Sequence, residues 1–451
     1  MRSALAVCAT CVVLVSIGCN GYEDLLGPTG VLPGTTGNLP GYSAREAEPN
    51  DDFARANSAV MQADSALDLE GSVSSILDID IYDLGPVAVG DRITAAVDCS
   101  RSLDLAAAVF DDQQRLISTN DDRWWQTDLR PSLAVTMRHE SQHCYLVVAA
   151  SPLADVFSGG GYTVSVLRET SSVPEPRAQA IYLNFNGGHS ILLPEGTVAD
   201  IPAFDAANID PSYAGQTAAM AAAIARHVRI DYARFNVQII TSMETSIVPP
   251  NATILHFGLY SDSLLGIADS VDEYNTDLTQ TAIIFTDTFS LFMPLNPSLE
   301  EMALAIANVA SHESGHLLGL EHTQDWSDLM DTTAPAQALL DDQDFRLAPL
   351  YDQVFPIGMQ DGALLLAESL GVSPNAAAYD IDNGPDFANT VDYADNRPSA
   401  NTGVEPSSSR SGGPAGVSPA VWRLLLYGHR SGQGYVSKDL FAVHSRRSVS
   451  R

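Results

Sequence analysis

Lysine is almost missing from this chain: Lys438 is the only one in 451 residues. Arginine does not make up the deficit, since 23 basic residues face 56 acidic ones and the formal net charge is −33. So acidic a balance argues against a nucleic-acid partner and against electrostatic adhesion to an anionic membrane. It is compatible with solubility outside a cell. Cysteine is scarce as well, with five in all and none after Cys144. Long apolar runs are missing too: beyond the first 19 residues, no stretch approaches the roughly 20 residues that a membrane-spanning helix needs.

What is present at the start is a signal. Arg2 precedes an apolar run from Ala4 to Ile17 that is too short to span a bilayer and ends in Gly18-Cys19. A charged start, a short apolar stretch and a small residue before the cut read as a secretory signal over residues 1–19. The Gly18-Cys19 ending resembles a bacterial lipobox, which implies lipidation of Cys19, although Ser16 stands where leucine is usual. The expectation is an exported bacterial lipoprotein of the outer membrane or cell surface, touching the membrane only through that lipid. A secreted or periplasmic protein is the alternative. Cys8 and Cys11 leave with the signal, so Cys99 and Cys144 remain as an even pair. In an oxidising compartment they are expected to form a disulfide if the fold brings them together, two buried thiols being the alternative.

Residues 20–47 are rich in Gly, Pro and Thr without periodicity, as in a flexible tether. Residues 48–170 alternate short apolar strands with turn clusters, including 79–84, 92–97, 105–110, 132–137, 144–149 and 162–166. That spacing predicts an all-β sandwich. Ser171-Ser-Val-Pro-Glu-Pro176 reads as a linker. Residues 177–373 mix strands (179–185, 235–241, 252–259, 264–268, 281–287) with helices near 214–232 and 362–370, an α/β or α+β sheet domain. Residues 374–451 are polar and low in complexity, a composition of disorder. From Glu405 onward seven basic residues face two acidic ones, a net charge of +5 against the sign of the rest.

The chemistry concentrates in His312-Glu-Ser-Gly-His-Leu-Leu-Gly-Leu-Glu-His322, with Met330 eight residues further on. On a helix, positions i and i+4 share a face, so His312 and His316 can bind one zinc ion from the same side. Gly319 can take the positive φ that ends the helix and lets the chain return with His322 as a third ligand. Glu313 lies beside the first ligand, placed to accept a proton from water. Three protein ligands and an open position make a catalytic zinc site rather than a structural one. The five fixed positions would recur by chance on the order of once in 10⁵ such chains. Asn296-Pro297 breaks the preceding structure, Ser298 and Glu301 form a capping box, and Met302, Ile306, Val309, Leu317 and Leu318 give the helix an apolar face.

This pattern with its methionine turn resembles the metzincin clan of zinc endopeptidases, and within it the matrixin-like bacterial proteases. The likeness covers roughly residues 177–372, through Ala178–Gly188, Asp231–Thr241 and Thr281–Asp287 as well as the motif. It implies zinc on His312, His316 and His322, a general base at Glu313, and Met330 as a hydrophobic floor below the metal. It also implies an edge strand at Leu264, Gly266 and Ala268 to which an extended peptide substrate could add. Departures are visible. No cysteine-switch sequence of the animal matrixin type is found, no cysteine occurring after Cys144, no tyrosine closely follows Met330, and His189, His227 and His256 are scattered singly rather than forming a second zinc site. Calcium is conceivable at loops such as Asp262, Asp269 and Asp272, but no spacing there matches a defined calcium loop. Within the sandwich, Glu48–Ala54, Asp78–Asp83 and Gly160–Ser165 resemble the bacterial pre-peptidase C-terminal domain, which usually follows a protease domain but here precedes it.

The reading is a monomeric, exported zinc endopeptidase acting on proteins or peptides through a zinc-activated water with Glu313 as general base. Two alternatives remain open from the sequence: a non-catalytic, zinc-containing adhesion or scaffold lipoprotein, and a zinc amidase acting on cell-wall peptides.

Overall fold

The computed structural model describes residues 41–123, 128–154, 157–192 and 198–373, and the backbone of 441–443. The signal, Cys19, most of the tether and nearly all of the tail lie outside the described residues.

The N-terminal unit is the expected sandwich, built from two five-stranded sheets. The first runs Gly41–Arg45, Ser65–Val73, Gly160–Thr170, Asp91–Cys99, Ser132–Thr136. The second runs Asn57–Ser58, Ile79–Asp83, Tyr145–Ala150, Leu105–Phe110, Leu116–Asn120. The sandwich therefore begins at Gly41, inside the segment expected to be a tether. That strand is held by parallel backbone pairing to Ala66–Glu70 and is mostly exposed, so no apolar alternation announces it.

Leu105–Phe110 is buried along its whole length. Successive side chains of a strand point to opposite faces. Leu105, Ala107 and Val109 fill the core between the sheets, together with Leu69, Val97, Leu146 and Val164. Ala106, Ala108 and Phe110 point the other way, into a second cluster with Ile79, Ile81 and Val147 that also contains Leu350 and Phe355 of the C-terminal unit. One face of the sandwich is thus spent on the second domain.

The C-terminal unit is the mixed α/β domain. Its sheet order is Val237–Thr241, Gln179–Asn184, Ala252–Phe257, Thr281–Ile284, Gly266–Ala268, Phe441–Val443. The first four are parallel, whereas Gly266–Ala268 runs antiparallel to Thr281–Ile284. A helix at Thr217–Asp231 buries Met220, Ala221, Ile224 and Val228 against the motif helix, Leu299–His316. The expected capping box is formed: the Ser298 side chain accepts from Glu301 N–H while the Glu301 carboxylate accepts from Ser298 N–H. The closing helix is Gly362–Leu370.

Cys99 and Cys144 are free thiols, which corrects the disulfide expectation. Cys144 pairs with Gly85 near the Asp91 end of the sandwich, whereas Cys99 closes the strand that Asp91 opens. Eight residues of strand separate those ends, about 26 Å. Burial holds both thiols up, at about 11 for Cys99 and about 12 for Cys144, so neither is a ready thiolate.

Candidate metal centre

The motif helix stays regular through His316, and Leu317 caps it. Gly319 then takes φ +100°, and a Cβ there would lie 2.9 Å from the Asp272 carbonyl oxygen and from Glu273 Cα. Glycine is required at 319 for both its backbone angle and its bulk. The reversal carries His322 back over the helix. Its Nε2 lies 3.1 Å from that of His316, which in turn lies 3.0 Å from that of His312.

The protonation pattern shows what these contacts are. His312 Nδ1–H donates to the Leu329 carbonyl at 2.7 Å, and His316 Nδ1–H donates to the Leu320 carbonyl at 2.7 Å. A neutral imidazole that donates from Nδ1 keeps a lone pair on Nε2. These two Nε2 atoms therefore face each other as acceptors, which is unfavourable without a cation between them. Burial, and then the neighbouring His322, hold both rings well below the usual histidine range, so they stay neutral. Tetrahedral zinc with bonds of about 2.0–2.1 Å would set its nitrogens about 3.3 Å apart, close to the spacing observed.

Glu313 supplies the second test of fit. It is fully buried, and neither carboxylate oxygen has a hydrogen-bond partner among the described residues. Burial pushes the carboxyl well above its usual range. An unpartnered buried carboxylate is costly, by several kcal/mol in ordinary cases. A cation and water beside the three imidazoles would relieve that cost, so these residues fit zinc.

Met330 lies under the helix: a Cβ on Gly315 would sit 2.5 Å from its sulfur. The methionine turn is fixed by Thr323, whose N–H donates to the Met330 carbonyl at 2.9 Å and whose hydroxyl donates to Asp328 at 2.7 Å. The expected edge strand is Gly266–Ala268, with Leu264 just outside it. Its outer edge pairs in parallel with the backbone of Phe441–Val443, a contact with no counterpart in the sequence expectations.

The three singly scattered histidines each have a local partner. His189 meets Asp200, His227 meets Glu300, and the buried His256 contacts Asn184 at 3.1 Å, with burial lowering its pKa to about 4. Of the loop carboxylates considered for calcium, Asp269 accepts from Thr281 N–H, and Asp272 accepts from Asp277 N–H and the Thr276 hydroxyl. Among the described residues, two overlapping carboxylate groups in the sandwich could also hold a cation: Glu46, Glu48 and Asp80, and Glu48, Asp51 and Asp78. The buried Asn50, whose Nδ2 donates to Asp80, leaves its Oδ1 unpartnered.

Residues 225–349 match the matrixin family model. The match spans the motif, the reversal and the methionine turn. The structure is also similar to an archaemetzincin from Methanopyrus kandleri, at 11% identity and TM-score 0.22 over 37% of this chain and 87% of that one. It is similar to the pre-peptidase C-terminal domain of a collagenase from Bacillus anthracis, at 15% identity and TM-score 0.18 over 25% of this chain and 95% of that one. A periplasmic inhibitor of g-type lysozyme from Aeromonas hydrophila follows at 14% identity and TM-score 0.17, over 29% and 97%. No curated protein matches.

Several groups that shape the candidate site escape sequence reading. The Leu320 and Leu329 carbonyls orient two of the imidazoles, but a carbonyl carries no residue signature. Gly315 and Gly266 did leave a trace: glycine inside a helix or strand costs stability and often marks close packing.

Proposed function

We propose that this protein is an exported zinc endopeptidase, with the matrixin-like region as its catalytic domain, acting on protein or peptide substrates. The observation that carries the reading is a buried, unpartnered Glu313 next to three convergent imidazoles. A zinc ion held by His312, His316 and His322 would polarise a scissile carbonyl and lower the pKa of water at the open position. Glu313 would accept the proton of the attacking water and pass it to the leaving amine nitrogen. The Leu329 and Leu320 carbonyls keep two of the rings in the tautomer that leaves Nε2 free. An extended peptide would be held at the Gly266–Ala268 edge by backbone hydrogen bonds, which accept many sequences.

Export and a lipid on Cys19 belong to the same proposal, supported by the charged, apolar and small-residue order of the first 19 residues. The test is to purify the full chain, load it with zinc, and follow casein cleavage with and without a chelator and in Glu313→Ala. Cleavage lost in both treatments supports the reading. Zinc binding with no cleavage of any protein, or cleavage that survives Glu313→Ala, sinks it.

A further inference from the structure

Two of the three ligand residues are anchored through their main-chain carbonyls by segments that also face the sandwich. Asp272 N–H donates to the His316 carbonyl at 3.0 Å, and Tyr351 N–H donates to the His322 carbonyl at 3.0 Å. Each anchoring segment has bonds of its own, such as Asn275 N–H to the Asp272 carbonyl and Phe355 N–H to the Tyr351 carbonyl, and the sandwich adds to them. Tyr274 and Asn275 sit in the left-handed region at φ 62° and 52°, a conformation that surrounding structure must enforce. At Glu273 and Tyr274 the sandwich supplies contacts. Glu273 accepts from the Ser118 hydroxyl at 2.9 Å and from Thr119 N–H at 3.2 Å, and the Tyr274 hydroxyl donates to the Ile117 carbonyl at 3.0 Å. The Arg138 guanidinium lies over the Tyr274 ring, 4.6 Å from its centre.

The second anchor is held the same way. Leu350 and Phe355 flank Tyr351 and pack into the cluster of Ile79, Ile81 and Phe110 on the outer face of the sandwich. Gln360 clamps Glu321, next to His322, by accepting from its N–H and donating to its carbonyl at 2.7 Å each. Its neighbour Met359 donates from N–H to the Gln114 carbonyl of the sandwich at 3.0 Å.

We infer that the sandwich is a brace for the metal centre: it fixes the 272–274 and 350–360 segments, and through them the positions of His316 and His322. Glu273 and Tyr274 are then positioning residues, which touch neither metal nor substrate but set the ligand geometry. The sandwich is in this sense part of the metal site rather than a spacer, and zinc affinity depends on contacts at Ile117–Thr119. The inference rests on the zinc-site reading above.

The test uses the full chain and a chromophoric chelator as competitor for zinc. Wild type, Glu273→Ala/Tyr274→Phe, Tyr274→Phe alone, and the exposed-surface control Arg45→Ala are titrated below their melting temperatures. The double variant should bind zinc 10–100-fold more weakly, the range that loss of outer supporting partners usually produces. Tyr274→Phe deletes one hydroxyl and should weaken zinc about fivefold, which keeps the test open if the double variant does not fold. The visible absorption of cobalt in the same site should also change in these variants and not in Arg45→Ala. Failure of wild type to bind zinc overturns the metal reading itself. Tight binding by wild type, with zinc affinity and cobalt spectrum unchanged in the Glu273 and Tyr274 variants, overturns the brace while leaving the metal site standing.

Discussion

A Cβ on Gly266 would lie 2.3 Å from Oε1 of Glu313, so the edge strand and the acid are packed backbone against carboxylate. The strand expected to receive substrate and the group expected to move the proton are fixed to each other. Gly266→Ala must displace the carboxylate or push the strand outward. Since a positioned general base contributes about 10²–10⁴-fold, proteolysis should fall on the order of 10²-fold with zinc content unchanged. Kinetics with metal analysis on the same sample checks this; full activity would show that Glu313 has another position open to it.

Glu313→Gln removes the base but keeps the shape. The variant should retain one zinc and lose about 10²–10⁴-fold in turnover. His322→Ala should instead lose metal, because its Nε2 is the third point of the cluster. The two variants therefore separate in a metal assay although both are inactive.

The domain interface carries a titrating group. Burial alone would depress His139, but hydrogen bonds with Asp111 at 3.2 Å and Glu368 at 2.7 Å outweigh it and hold the ring at about 9. A histidine raised above its unfolded value of 6.5 contributes stability in full below that pH and loses it as pH rises through about 9. The loss amounts to at most about 3 kcal/mol. Urea unfolding at about pH 6 and about pH 10 should show wild type losing more stability than His139→Gln across that window. Parallel losses in the two proteins would show that the interface histidine contributes nothing.

The parallel pairing of Gly266–Ala268 with Phe441–Val443 places the chain's own backbone where a substrate strand would add. A segment of the same chain competes with substrate intramolecularly. Residues from Glu405 onward carry +5, while the remainder of the chain carries −33 − 5 = −38, so long-range attraction favours the contact. Ala442→Pro removes an N–H from that strand and should raise cleavage of a short peptide severalfold. An unchanged rate would mean that substrate and tail do not share the edge.

The convergence of His312, His316 and His322 was legible because zinc chemistry demands particular residue types at helical spacing, and the reversal was legible because few residues other than glycine adopt the φ of Gly319. The capping box at Ser298 and Glu301 and the closing helix Gly362–Leu370 were readable for the same reason: local hydrogen bonds and local periodicity determine them. The sandwich strands at 105–110 and 145–150 were visible as apolar runs, yet nothing along the chain said that Ala106, Ala108 and Phe110 face another domain. Ser65–Val73 was missed because Asp68, Glu70 and Gly71 interrupt its apolar residues. The anchors at Asp272 and Tyr351 act through backbone amides, which every non-proline residue has, so only the fold reveals them. The cysteine pair misled because parity says nothing of distance.

The most direct test is X-ray absorption at the zinc edge on the zinc-loaded full chain. The account predicts one zinc per chain with three imidazole nitrogens at about 2.0–2.1 Å and one oxygen ligand from solvent. A shell with fewer than three imidazoles, or no tightly held zinc at all, would contradict it.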